Sequence, residues 1–175
     1  HLHLSLQAGS DMILKRMKRR HLTADACRLV ERARAARPDI AFGADLIAGF
    51  PTETDAMFEE TLAHVERLGL AWLHVFPYSP RPGTPAARMP AVGGAIVKAR
   101  AARLRDLGRR QTEAYLAAEI GKTLRPIMET PTRGRTEGFA DIDLDQAQTV
   151  ADMPTVRVTG VKDGRLLGRA LETGH

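Results

Sequence analysis

Hydrophobic and polar positions change their period several times in the first 76 residues of the chain. His1–Gln7 alternates leucines with polar residues, which is the period-two pattern of a strand with one packed face. Ala41–Ala48 and Ala71–Phe76 predict two further strands. Apolar residues recur at helical spacing after Thr23 and again after Thr54, so each of these threonines is expected to open a helix. The pattern therefore alternates strands with helices.

This alternation predicts an α/β fold with parallel strands, because parallel neighbours need a crossover connection rather than a tight hairpin. Polar residues lie on the predicted strands, namely Ser5, Gln7, Asp45 and His74. They fit the interior of a barrel better than a sheet that is buried on both faces. Three strands cannot close a barrel, so the expected fold class is the second half of a (β/α) barrel.

The sequence changes in texture after residue 76. Residues 77–90 are rich in proline and predict a loop, while Ala95 to about Glu119 predicts a long basic helix. From Thr123 the segments are short and strand-like, and Asp163-Gly164 is a hairpin signal. We therefore expect a small antiparallel β-barrel at the end of the chain, with domain boundaries at 1–94, 95–121 and 122–175.

Composition bounds the class of protein. Of the 175 residues, 43% are apolar, which is enough to build a core. The sequence shows neither a signal peptide nor a long apolar run, so a cytoplasmic location without membrane association is expected. A single cysteine, Cys27, cannot form an internal disulfide or ligate an iron–sulfur cluster by itself, and a packing role is expected for it. The chain begins at His1 without a methionine, and we interpret it as a fragment.

The net charge of +5 is unevenly distributed. Residues 1–121 contain 18 Lys/Arg and 13 Asp/Glu, whereas residues 122–175 contain 8 of each. Basic residues cluster in Lys15–Arg20 and along the predicted long helix, at Lys98, Arg100, Arg103, Arg105, Arg109 and Arg110. Such clusters suit a polyanionic partner, although a solvated helix face explains the same pattern.

Several strings identify a family. They are His3-Leu4-Ser5-Leu6-Gln7, Met17-Lys18-Arg19-Arg20, Asp45-Leu46-Ile47-Ala48-Gly49-Phe50-Pro51-Thr52-Glu53-Thr54 and Tyr78-Ser79-Pro80-Arg81-Pro82-Gly83-Thr84. In this order and spacing they resemble the back half of the radical S-adenosylmethionine (SAM) methylthiotransferases. The tail from Gly121 to Arg169 is similar to the TRAM domain that ends those enzymes. Within the family, the strings around Asp45 and His74 most resemble the branch that acts on N6-threonylcarbamoyladenosine in tRNA.

The resemblance implies a set of residues that bind the SAM cofactor. Arg19 lies twelve residues after Gln7, where related enzymes place an arginine against the methionyl carboxylate, and a guanidinium fork suits that group. Asp45 is expected to bind the ribose, although its alternative partner is a lysine or arginine inside the barrel. The remaining expected cofactor residues are Ser5, Gln7, Gly49, Phe76 and Pro77.

The resemblance also implies what the fragment lacks and which partners it has. Two [4Fe-4S] clusters are expected in the full-length protein, with ligands outside this chain, so the fragment is expected to hold no catalytic residue and to be inactive alone. The tRNA anticodon stem-loop and a reducing electron donor are the expected partners of a monomeric enzyme. Arginines of the tail are expected to bind the RNA, namely Arg125, Arg133, Arg135, Arg157, Arg165 and Arg169.

Other interpretations remain open at this point. The isopentenyladenosine branch and the ribosomal-protein aspartate branch of the family are the nearest alternatives, and an RNA-binding module without catalysis is the alternative of another class. His1 and His3 share a strand face, but two histidines without a third ligand make a weak metal site. His74 has a similar standing, and no metal ligand is predicted.

Overall fold

The structure, a computed structural model, describes residues 1–171. The chain divides into two compact units, which we call the first unit (Leu2–Gln111) and the second unit (residues 112–171 together with His1). This division falls within the predicted connecting helix. No helix of the described residues has both the length and the apolar character needed to cross a membrane.

The first unit alternates strands and helices, as the sequence predicts. Its elements are β1 (Leu2–Gln7), α1 (Asp11–Arg16), α2 (Thr23–Ala36), β2 (Phe42–Ala48), α3 (Asp55–Leu68), β3 (Trp72–Pro77), a short 3-10 helix (Pro85–Arg88) and most of α4 (Gly94–Glu119). The strands form one parallel sheet in the order β1-β2-β3. The predicted α/β alternation is confirmed.

Helix starts differ in detail from the sequence prediction. Thr54 caps α3 as expected, because its side chain accepts a hydrogen bond from the Met57 N–H. Thr23 is not the cap of α2 but its first residue, and the Asp25 carboxylate instead accepts from the Leu22 N–H at 2.8 Å. The side-chain hydrogen bond at the start of α2 is therefore made by an acidic residue of the first turn and not by the threonine.

In the part of the chain that the structure describes, the helices of the first unit cover one face of the parallel sheet. The face bearing Phe42, Ala44 and Leu46 packs with residues of α2, α3 and α4 into a single core, which includes Cys27. The alternate residues of the same strands stay outside that core. Burial therefore separates a packed face from an open face, which carries the candidate site.

The second unit contains six short strands after α4. They are β4 (Thr123–Leu124), β5 (Ile127–Met128), β6 (Arg133–Arg135), β7 (Asp141–Leu144), β8 (Val156–Lys162) and β9 (Arg165–Ala170). The sheet order is β4-β8-β9-β7-β6-β5. Asp163 and Gly164 both have positive φ and join β8 to β9, so the predicted hairpin is confirmed.

The prediction of a wholly antiparallel sheet in the tail was wrong at one place. β7 pairs with β9 in parallel, whereas the other pairings between the described strands of the second unit are antiparallel. The chain between these two strands forms β8, which lies on the far side of β9, so β9 returns beside β7 in the same direction. Hairpin signals alone do not reveal this return.

Candidate functional site

The open face of the parallel sheet is lined by polar and aromatic side chains. It carries His3 and Ser5 of β1, Asp45 and Ile47 of β2, and His74 and Phe76 of β3. All six are exposed or half-buried. The register places Asp45 beside His74 and Ile47 beside Phe76. Side chains from three separate strings of the sequence are therefore neighbours on one surface.

A cavity of about 580 Å³ lies at the carboxyl ends of these strands. It brings together four of the seven predicted cofactor residues, namely Gln7, Asp45, Phe76 and Pro77. Ile47 and Arg81 also line it, although the sequence analysis assigned no cofactor role to them. The carboxyl end of parallel strands is where α/β proteins bind ligands, so the position suits a binding site.

Asp45 is the centre of a hydrogen-bonded cluster that the sequence analysis did not predict. Its Oδ1 atom lies 2.8 Å from Nε2 of His3 and 3.2 Å from Nδ1 of His74. The two imidazole rings also pack against each other, with centroids 4.6 Å apart. The alternative to ribose binding was a pair with a lysine or arginine of the barrel, and the structure supplies two histidines instead.

Gly43 makes room for one of these rings. A Cβ atom at this position would lie 2.5 Å from Nδ1 of His3, so any larger residue would displace the imidazole. A glycine inside a strand often marks such a close approach, and this is the signal in the sequence that could have revealed the cluster.

The other predicted cofactor residues lie outside the cavity lining. Arg19 donates from Nη2 to the backbone oxygen of Ser5 at 3.0 Å, which ties the segment after α1 to β1.

Gln7, which does line the cavity, has a φ of +69°, an uncommon conformation for a residue with a side chain. Strand β1 therefore ends with its last side chain turned into the cavity region.

Packing against α4 explains why residue 49 is a glycine. Its φ is +73°, and an added Cβ would lie 2.6 Å from Cγ2 of Val97 in α4. Its N–H donates to the Glu53 carboxylate at 3.0 Å. The turn after β2 is therefore held between α4 and Glu53.

The buried pair of Glu53 and Arg100 was also missed. The Glu53 side chain is 1% exposed and that of Arg100 is 6% exposed, and Nη1 of Arg100 lies 2.8 Å from the glutamate Oε2. Burial raises the pKa of Glu53, while Arg100 and the Gly49 N–H oppose that shift. Arg100 also pairs with Asp55 at 2.7 Å. It therefore anchors α4 to the loop after β2 and does not face a polyanion.

Neighbouring basic residues on α4 are paired as well. Arg103 lies 2.7 Å from Glu59, and Asp106 accepts from both Arg109 and Arg110. These side chains are about half exposed, so the pairs are solvated. The basic cluster predicted from charge alone is thus largely neutralised within the first unit.

Most of the arginines predicted to bind RNA lie on one face of the second unit. Alternation along β6, β8 and β9 turns five of them away from the buried residues of that sheet; they are Arg133, Arg135, Arg157, Arg165 and Arg169. Arg125 lies between β4 and β5 and is exposed.

Aspartates of the same surface neutralise much of this charge. Asp141 pairs with Arg135 and Arg165, each at 3.0 Å, and Asp143 pairs with Arg165 at 2.9 Å. Asp143 also pairs with Arg133 at 3.3 Å, and Asp145 pairs with Arg169 at 3.1 Å. We call these residues the arginine–aspartate ladder. The face is dense in charge, yet its net charge is small.

Comparison with known proteins shows which family the chain resembles. Residues 1–65 match the model of the radical SAM superfamily. The chain is 44% identical over 94% of its length to a threonylcarbamoyladenosine tRNA methylthiotransferase of Rickettsia prowazekii. Over most of its length the chain is therefore similar to the radical SAM methylthiotransferases. The predicted resemblance to this family of transferase enzymes is confirmed.

Two further relatives carry another substrate in their names. The tRNA-2-methylthio-N6-dimethylallyladenosine synthases of Cereibacter sphaeroides and Agrobacterium fabrum are 40% and 42% identical over 98% and 91% of this chain. The chain covers 39%, 41% and 37% of the three relatives' own lengths. The chain therefore spans about two fifths of the length of these relatives. The match to the radical SAM superfamily implies SAM and iron–sulfur clusters as cofactors.

Proposed function

We propose that this chain is part of a tRNA methylthiotransferase that adds a methylthio group to C2 of N6-threonylcarbamoyladenosine beside the anticodon. The observation that carries the proposal is the 44% identity to a methylthiotransferase of that type over 94% of the chain.

The cavity at the strand ends suits the cofactor chemically. Its lining combines a carboxylate from Asp45, an amide from Gln7, the apolar side chains of Ile47 and Phe76, and a guanidinium from Arg81. A carboxylate suits ribose hydroxyls, apolar and aromatic surfaces suit adenine, and a guanidinium suits the methionyl carboxylate. When bound together with a reduced iron–sulfur cluster, SAM supplies the radical that removes hydrogen from C2 of the adenosine.

We assign the chain's own residues to positioning that cofactor. Asp45 and Gln7 would hold the ribose, and Phe76 and Pro77 would flank the adenine. Arg19 and Arg81 are two candidates for the carboxylate, since Arg19 has the family spacing and Arg81 lies on the cavity wall. Ser5 contributes through the backbone oxygen that binds Arg19, and Gly49 through the turn it permits.

We further propose that the second unit is a TRAM domain that binds the anticodon stem-loop through Arg125, Arg157 and the arginine–aspartate ladder. In this proposal the aspartates space the guanidinium groups along the sheet. Phosphates would compete with them for the arginines, which makes binding sensitive to salt. The two [4Fe-4S] clusters and their cysteine ligands are assigned to the rest of the longer protein.

The function is tested by nucleoside analysis. Mass spectrometry of tRNA from a strain that lacks the gene should show loss of the methylthio form of threonylcarbamoyladenosine, restored by the intact gene. Loss of the methylthio form of dimethylallyladenosine instead would assign the enzyme to the other branch. An unchanged nucleoside profile would contradict the proposed function.

A further inference from the structure

His3, Asp45 and His74 form a group of metal-ligating side chains that the proposed function does not use as a unit. One ligand atom from each residue lies within 4.8 Å of the ligand atoms of the other two. Among the residues that the structure describes, this is the one group in which at least three His, Cys, Asp or Glu side chains converge in this way. Two imidazole nitrogens and one carboxylate oxygen therefore meet at a single point.

Strand pairing brings these three side chains together. Asp45 lies opposite His74 in the pairing of β2 with β3, and His3 lies opposite Gly43 in the pairing of β1 with β2. A Cβ atom at Gly43 would lie 2.5 Å from the His3 ring, so the glycine leaves the space that this imidazole takes. All three ligands come from one sheet of this chain, so the group does not depend on the remaining length of the relatives.

The distances are close to those of a first-row metal site. With metal–ligand bonds of about 2.0–2.1 Å in a tetrahedral arrangement, neighbouring ligand atoms lie about 3.3 Å apart. Oδ1 of Asp45 lies 2.8 Å from Nε2 of His3 and 3.2 Å from Nδ1 of His74. The separation of the two histidine ligand atoms, at most 4.8 Å, has to shorten when an ion binds. The ion would take the place of the protons in these hydrogen bonds.

The surroundings of Asp45 suit a cation. Its ion-pair partners among the described residues are His3 and His74, and no lysine or arginine there pairs with it. A carboxylate in an otherwise apolar strand is stabilised by a positive charge, which a metal ion supplies. Both histidines contact Oδ1, and Oδ2 makes no hydrogen bond within the described residues. Oδ2 therefore stays available for the ribose in the proposed function.

We propose that His3, Asp45 and His74 bind a divalent transition-metal ion. Imidazole ligands favour ions such as Zn²⁺ and Fe²⁺, whereas Mg²⁺ and Ca²⁺ take oxygen ligands. Three protein ligands leave a coordination position for a water or a substrate atom, which is the arrangement of catalytic zinc sites and not of structural ones. The inference goes beyond the proposed function and does not depend on it.

The test is metal titration of the 175-residue chain, purified without a polyhistidine tag. The chain has a single cysteine, so an iron–sulfur cluster of its own does not obscure the measurement. Zn²⁺ binding is followed by calorimetry at about pH 8, where free imidazole is mostly neutral. Co²⁺, whose visible absorption reports its ligands, is the spectroscopic probe, and Mg²⁺ is the negative control.

Three variants each remove one ligand, namely His3→Ala, Asp45→Asn and His74→Ala. His21→Ala is the matched control, because it removes a half-buried histidine of the first unit that lies outside the group. Fluorescence of Trp72 in urea without metal shows which variants are folded. His74→Ala is the variant least expected to disturb folding, since its side chain is 64% exposed and those of the other two ligands are 29% exposed.

Wild type should bind one Zn²⁺, and each folded ligand variant should raise Kd about a hundredfold or more, because loss of even an outer-shell partner costs about 10–100-fold. His21→Ala should keep the wild-type affinity, and Mg²⁺ should not compete. Saturating Zn²⁺ should raise the urea midpoint of wild type and of His21→Ala, but not that of His74→Ala. Absence of binding by the folded wild-type chain, or equal losses in His74→Ala and His21→Ala, would overturn the proposal.

Discussion

The buried Glu53–Arg100 pair should make Arg100 one of the most sensitive positions for the stability of the first unit. Arg100→Ala leaves the Glu53 carboxylate buried without its ionic partner, since the side chain is 1% exposed and its remaining hydrogen bond among the described residues comes from the Gly49 N–H. Removing one member of a buried ion pair typically costs about 3–5 kcal/mol in the free energy of unfolding. Arg103→Ala is the matched control, because its pair with Glu59 is half exposed and should contribute less than about 1 kcal/mol.

The loss in Arg100→Ala should also depend on pH. Burial already raises the pKa of Glu53 in the folded chain, and Arg100 opposes that shift, so the variant has a still higher pKa. A raised carboxyl pKa means that the folded state binds the proton more tightly than the unfolded state. Stability is therefore lost as pH rises from the ordinary glutamate value of about 4.3 through the raised pKa. The difference between variant and wild type should be largest near neutral pH and should shrink on acidification.

The assay is urea unfolding followed by fluorescence of Trp72, the only tryptophan of the sequence, which lies in β3 of the first unit. Glu53→Gln combined with Arg100→Met removes both charges and should recover much of the stability lost in Arg100→Ala. Equal losses in Arg100→Ala and Arg103→Ala, or a loss that does not change with pH, would refute the reasoning.

Three further outcomes follow from the geometry. Gly49→Ala should lower the free energy of unfolding by about 2–4 kcal/mol, because it combines a positive φ with a clash against α4. Gly83→Ala, which has a positive φ in open space, is the control and should lower it by about 1–2 kcal/mol. Equal losses in the two variants would contradict the packing argument. Burial lowers the pKa of His64, so stability should fall as pH drops below about 6.5, and urea titrations should show a smaller fall in His64→Gln. Asp143→Asn releases Arg133 and Arg165 of the ladder and should strengthen RNA binding, measured by fluorescence polarisation. Asp163→Asn, the same charge change at an exposed turn, is the control and should have a smaller effect. Equal effects would show that the ladder does not contact the RNA.

Periodicity predicted the elements of the first unit because each one buries a single face. The leucines of β1 and the apolar residues of β2 mark the packed side directly, and the same alternation identifies the open side without any structure. The Glu53–Arg100 pair left no such mark. The two residues are 47 positions apart, and nothing local distinguishes Arg100 from the solvated arginines around it on α4.

The tail shows the same limit in the pairing of strands. Alternation along β7 puts Asp141 and Asp143 on one face, but which arginines they meet depends on β6 on one side and on the parallel neighbour β9 on the other. A hairpin rule pairs β9 with β8 alone and gives no reason to place Arg165 beside these aspartates. The predicted RNA-binding arginines are therefore close together because of strand pairing, which a count of charges does not reveal.

Asp45 shows how far physical reasoning from a sequence reaches at a site. A carboxylate in an otherwise apolar strand requires a partner or a solvated pocket, and the structure provides both. The identity of the partner depends on the register of three strands, which sets His74 opposite Asp45 and His3 opposite Gly43. Gly43 is the local trace of that arrangement, because a strand glycine leaves space that another side chain must fill. A strand with a glycine two positions before an aspartate, and with histidines on both neighbouring strands, therefore predicts an oriented imidazole as well as a paired carboxylate.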